Sequence, residues 1–253
     1  MNISDLVKNK AQHIELKKAE LKTVKGGLSQ LVADKSTAIK GVFKNDENEL
    51  KRTIVGNTYL WMDSHDDVHA KSVFTKSIKE RKSSIFHLHD HEYKLVAKVG
   101  EPIDIYENEI SWKELGVNKS GTTQALFMDS DIKKDYNPQI FNAYKSGQIN
   151  QHSVGMQYVK IDLAVNDEEF EEEYKVWQDN IDSIGNKEHA ESKGYFWFVR
   201  EAKLIEISAV LLGSNELTPT IAEQKTEADT DVTTDKHEPS NDTHKTIINP
   251  NLF

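Results

Sequence analysis

The run Leu204-Ile205-Glu206-Ile207-Ser208-Ala209-Val210-Leu211-Leu212 limits this chain more than any other stretch, because it is apolar enough for a core strand yet carries a carboxylate inside it. Aliphatic and β-branched residues at this density favour a sheet. A buried carboxylate is unfavourable unless something pairs with it. Glu206 therefore either faces solvent as an alternating polar position or meets a histidine. Strand texture recurs at residues 41–44, 52–62, 96–100, 103–106, 122–128 and 195–199, with Pro102 marking an edge or turn. The chain is dominated by strands.

A second constraint comes from Gly147-Gln148-Ile149-Asn150-Gln151-His152-Ser153-Val154-Gly155-Met156. Upstream, Asn137-Pro138 has the form of an N-cap and first helical residue, Ile140, Phe141 and Tyr144 give one apolar face, and Gly147 is a natural stop. A short helix thus delivers the chain to Ser153, where an alternating run begins. A serine at a strand start suits a nucleophile, and Gly155 leaves the backbone open to an approaching carbonyl. Most Ser-X-Gly triplets are turns or strand ends, so the triplet alone does not assign that role.

Histidine is the side chain best matched to proton transfer near neutral pH, and it is also a common metal ligand. In Ser84-Ile85-Phe86-His87-Leu88-His89-Asp90-His91, a strand over residues 85–89 puts His87 and His89 on one face. A metal-dependent hydrolase using His87, His89 and His91 is one reading, although the spacing departs from the His-X-His-X-Asp-His motif; a wet strand face is the bland one. Asp63-Ser64-His65-Asp66-Asp67-Val68 reads as a polar connection before a helical stretch at 72–78, with a metal-binding loop as the alternative. Serine, histidine and Glu206 together are the ingredients of nucleophilic acyl transfer. No Gly-X-Ser-X-Gly elbow is present, which argues against an α/β-hydrolase.

The remainder of the chain reads as appendages. Val7, Ala11, Ile14 and Leu21 mark an amphipathic, lysine-rich helix from Ser4 to about Lys25, ended by Gly26-Gly27. Phe170, Tyr174 and Trp177 give an acidic amphipathic helix inside an insertion at about 166–192. From Ala222 almost no apolar residue occurs before Ile247-Ile248, so a disordered tail is expected. The organisation expected is an N-terminal helical segment at 1–40, one catalytic domain at 41–221 and a tail at 222–253. A net charge of −10 with no basic stripe argues against nucleic acid as a partner. Without cysteine there are no disulfides, thiol catalysis or thiolate metal sites. No apolar run reaches the ~18 residues of a membrane helix and Met1 to Leu6 lacks a signal-peptide core, so a soluble, intracellular-type protein is expected, with no membrane partner.

Taken in order, these residues resemble the prohead (capsid maturation) serine proteases of tailed phages, related in fold to the herpesvirus assembly proteases. The resemblance spans about Gly56 to Asn215. It rests on Gly56 with Trp61 to Asp67 and Ser72-Val73-Phe74, on Phe86-His87-Leu88-His89-Asp90, on Lys145-Ser146-Gly147 followed by His152-Ser153-Val154-Gly155-Met156, and on Leu204-Ile205-Glu206-Ile207-Ser208-Ala209-Val210 with Asn215. Asp66 stands where that family usually has glycine, and Gly213-Ser214-Asn215 replaces its closing Pro-Ala-Asn. The resemblance implies an α+β fold, a mainly antiparallel β-barrel with flanking helices. It implies Ser153 as nucleophile, His89 as general base and Glu206 as third member, with no cofactor and no metal. It further implies a serine endopeptidase that cuts major capsid protein and scaffold protein, and itself, inside the assembling prohead in the host cytoplasm, and it allows a homo-oligomer. A non-catalytic scaffold or assembly protein on the same fold is the alternative.

Overall fold

The computed structural model describes residues 2–20 and 47–221. The described strands are β1 (Glu49–Thr58), β2 (Asp67–His69), β3 (Phe86–His89), β4 (Lys98–Ser111), β5 (Thr122–Lys133), β6 (His152–Val165), β7 (Tyr195–Ala209) and β8 (Thr220–Ile221). Flanking them are helices α1 (Ile3–Lys8), α2 (Lys10–Ala19), α3 (Thr75–Arg81), α4 (Pro138–Lys145), α5 (Glu171–Asn180) and α6 (Lys187–Lys193). All strands belong to one large sheet with pairing order β2-β7-β3-β4-β5-β1-β8, and β6 also pairs with β7. β2 and β3 run parallel to β7, and the remaining pairings are antiparallel. The fold is α+β with a mixed, mainly antiparallel sheet. Among the described residues its hydrogen bonding does not close into a ring.

β7 organises the sheet. β6 follows it from Tyr195 to Ala209, so β2 and β3 share its other edge at opposite ends. Two strands were expected here, at 195–199 and 204–212. The structure has one, because the intervening residues stay extended, with the Ala202 N–H donating to the Val73 carbonyl at 3.0 Å. The strand stops at Ala209, leaving Leu211 exposed. The expected strands at 96–100 and 103–106 are likewise one strand, β4, with a bulge between Pro102 and Asp104 where proline has no N–H to give.

α4 and α5 follow their sequence signals, whereas the helix expected at 72–78 begins at Thr75 and runs to Arg81. α4 begins with Asn137, whose side chain accepts from the Ile140 N–H at 3.1 Å, has Pro138 at its first position, and ends before Gly147 at φ 74°. α5 buries Trp177 against Phe196 and exposes most of its acidic face. The N-terminal helix is interrupted at Asn9, giving α1 and α2, and residues beyond 20 of that expected helix lie outside the described residues. So do the strand expected at 41–44 and the tail from 222. No helix of the described residues is long and apolar enough to cross a membrane.

The main core gathers Ile54, Tyr59, Phe74, Leu126, Phe141, Leu163, Leu204 and Ile207, and it includes Leu6 of α1, so the N-terminal helices pack on the body of the protein. Leu204 and Ile207 both lie in this core although they are three residues apart. A regular strand would place them on opposite faces. The register shift opposite Gly155 and Met156 resolves this by leaving Ile205 unpaired, so that the next residue, Glu206, is turned to the other face.

Candidate active site

Residues paired across neighbouring strands point to the same side of a sheet. Ser153 of β6 is paired with Ser208 of β7, and Gly155 with Glu206. Ser153, Ser208 and Glu206 therefore share one face, opposite the one that holds Ile207. A Cβ built on Gly155 would collide with the Glu206 carboxylate. The glycine leaves a floor on which that carboxylate lies, which is a closer reason for Gly155 than an open path for substrate.

β3 supplies the histidines with the opposite parity. Phe86 pairs with Glu206, His87 with Ile207, Leu88 with Ser208 and His89 with Ala209. His87 and His89 thus face away from Glu206. The expected general base, His89, does not join the Ser153 and Glu206 face; its Nδ1 lies 3.9 Å from the carboxylate of its neighbour Asp90. The residue that does reach Glu206 is His91. The chain leaves β3 through a turn in which Asp90 has φ 52° and His91 has φ 55°, closed by the Glu92 N–H donating to the His89 carbonyl at 3.2 Å. Left-handed backbone at two successive non-glycine residues is unfavourable unless the surroundings hold it. Here it carries the imidazole round to the face that the strand histidines cannot see.

His91 Nδ1 donates to Glu206 Oε1 at 2.5 Å, and both side chains are buried. In the neutral imidazole that bond selects the tautomer in which Nε2 carries the lone pair, the form a general base requires. His91 Nε2 is buried and has no hydrogen-bond partner among the described residues. Ser208 completes the arrangement: its Oγ donates to Glu206 Oε2 at 2.6 Å and accepts from the His91 backbone N–H at 3.1 Å. Tyr93, the residue after the turn, is close enough to sense the carboxylate; burial and then the Glu206 charge push its hydroxyl up to about 12. Glu206, which the sequence left facing either solvent or a histidine, meets a histidine.

The other face carries a separate polar chain. His87 Nδ1 is 2.7 Å from Ser130 Oγ and its Nε2 is 3.0 Å from Tyr144 Oη, which in turn is 2.9 Å from His152 Nε2. His87, His89 and His91 therefore do not converge. Among the described residues no group of three His, Cys, Asp or Glu side chains could hold a metal ion. The stretch expected as a polar connection at 63–68 is a turn leading into β2, with Asp63 and Asp67 buried and Asp63 Oδ1 accepting from the backbone of His65 and Asp67.

The signal for His91 in the sequence was slight. Aspartate tolerates left-handed backbone, so His89-Asp90-His91 had the composition of a turn. Comparisons with protein-family models, curated proteins and solved structures find no match for the chain.

Proposed function

We propose that the chain is a serine endopeptidase in which Ser153 is the nucleophile, His91 the general base and Glu206 the group that orients it. The observation that carries this reading is the buried pair of His91 and Glu206 at 2.5 Å, with the imidazole's second nitrogen unpartnered and Ser153 on the same face of the sheet. In the forward step His91 Nε2 takes the hydroxyl proton as Ser153 Oγ bonds to the peptide carbonyl carbon. Collapse of the tetrahedral adduct breaks the C–N bond, and His91 returns the proton to the departing amine. Water, activated by the same nitrogen, then hydrolyses the acyl ester. Glu206 accepts from His91 Nδ1–H throughout and supports the imidazolium.

The resemblance to prohead proteases supplies the rest of the proposal. Its substrates are the major capsid and scaffold proteins, and its place of action is the assembling prohead, where it also trims its own tail. On that reading the sheet is a barrel. The approach of Gly56 to Ile207, where an added Cβ would lie 2.7 Å from the side chain, supports strands folded over one another across a shared interior. The test is covalent labelling of the full chain with a fluorophosphonate. Label is expected on the peptide containing Ser153 and absent from Ser153→Ala, which should also leave co-expressed capsid and scaffold proteins uncut, a loss of roughly 10⁴-fold or more. Absence of label on the folded wild-type chain, or normal processing by Ser153→Ala, would sink the proposal.

A further inference from the structure

We infer that Ser208 is a positioning residue that couples the Glu206 carboxylate to the turn presenting His91; the inference rests on the serine-protease reading of this site. Two serines face this side of the sheet, paired with one another across β6 and β7. They are chemically distinct. The single proton of Ser208 goes to Glu206 Oε2 at 2.6 Å and its oxygen accepts the His91 N–H at 3.1 Å, so both functions of the hydroxyl are engaged. Ser208 is fully buried, whereas Ser153 Oγ makes no hydrogen bond among the described residues. Only the latter is free to give its proton to the imidazole.

The double engagement of Ser208 has a structural reason. Glu206 Oε1 is held by His91, and without Ser208 the second carboxylate oxygen would be left to rotate about the side-chain bond. The His91 N–H lies in a left-handed turn with no ladder partner of its own, and Ser208 is its acceptor. One hydroxyl therefore fixes both the rotation of the carboxylate and the height of the histidine above the sheet. Threonine retains that hydroxyl, cysteine retains the volume with a much weaker donor, and alanine retains neither.

The experiment compares wild type with Ser208→Ala, Ser208→Cys and Ser208→Thr by peptide-cleavage kinetics, by the rate of Ser153 labelling, and by proton NMR of the His91 Nδ1–H. Ser208→Ala is expected to lower kcat and the labelling rate roughly 10- to 100-fold at unchanged KM, the size of loss that misplacement of a reacting group produces. The downfield imidazole proton of wild type should shift or exchange rapidly in the alanine variant. Threonine should restore most of both. If alanine does not fold, cysteine is expected to show the same pattern. Wild-type kcat with an unchanged imidazole signal in the alanine or cysteine variant would overturn the inference, as would equal losses in all variants with that signal intact, which would make Ser208 a packing residue. The imidazole signal exists whether or not Ser153 reacts, so failure of the protease reading shows separately, as an unlabelled wild type.

Discussion

His91 reaches Glu206 because it follows a turn, and this decides which histidine pairs with the carboxylate. Within β3 the alternation is strict, so with Phe86 opposite Glu206 neither His87 nor His89 can point to the carboxylate. His91→Ala is accordingly expected to reduce peptide cleavage and Ser153 labelling by roughly 10³-fold or more, while His89→Ala stays within a few-fold of wild type. Side-by-side assay of the two purified variants checks this, and a dead His89→Ala with an active His91→Ala would return the base to β3. Ser153 and Glu206 were legible as candidates from their own surroundings, a strand start beside a glycine and an acid inside an apolar run. The histidine that pairs with the carboxylate was not. Choosing it requires the register between β3 and β7, and nothing local in residues 84–91 states which residue of a strand more than a hundred positions away lies opposite Phe86.

Elements were legible where local chemistry ends them. α4 was recoverable from Asn137, Pro138 and Gly147 because caps act within one turn. The sequence marks two apolar runs where β7 is one strand, because pairing with β6 and the Ala202 N–H bond to the Val73 carbonyl keep the largely polar Arg200-Glu201-Ala202-Lys203 extended. What α4 does in the fold was invisible until the strands were placed: its Tyr144 joins β3 to β6. His152 Nδ1 lies 2.8 Å from the Thr218 carbonyl, which only accepts, so that nitrogen carries the proton and Nε2 accepts from Tyr144. Tyr144 Oη then accepts from His87 Nε2–H, and His87 Nδ1 accepts from Ser130. The chain runs in one direction, with both histidines neutral, and it anchors the residue next to Ser153. Tyr144→Phe removes the central hydroxyl and leaves two buried ring nitrogens without partners. A loss of about 2–3 kcal/mol in urea unfolding is expected. A loss below ~0.5 kcal/mol would show that the chain is not a staple.

Over the whole molecule, the buried histidine chain and the Asp63 pocket set opposite demands on protons. Burial, and then the neighbouring His152, lower His87 to about 3; burial lowers His152 to about 4, against the opposing pull of the Thr218 carbonyl. Each is neutral when folded and takes a proton when unfolded below its ordinary value of 6.5. Their contribution is present above that value and is lost as pH falls toward the folded values. Asp63 behaves in the opposite sense. Burial, and then the charge of Asp67, raise it to about 7, while Lys17 of α2 pulls it down. It holds its proton when folded and releases it when unfolded above 3.8, so its contribution is lost as pH rises from about 4 to about 7. At pH ~5 the unfolded chain has two extra protons on the histidines and the folded chain has one on Asp63. The net difference of one proton makes stability rise with pH by about 1.4 kcal/mol per unit from these three groups. Asp63→Asn retains the oxygen that accepts from His65 and Asp67 and removes the proton that opposes the histidines, so its slope should be roughly double that of wild type. His87→Gln removes one histidine and should bring the slope close to zero. Urea midpoints measured every half pH unit between ~4.5 and ~6 decide the matter: identical slopes for the three proteins would mean that neither the buried histidine chain nor the Asp63 pocket governs how the fold responds to acid.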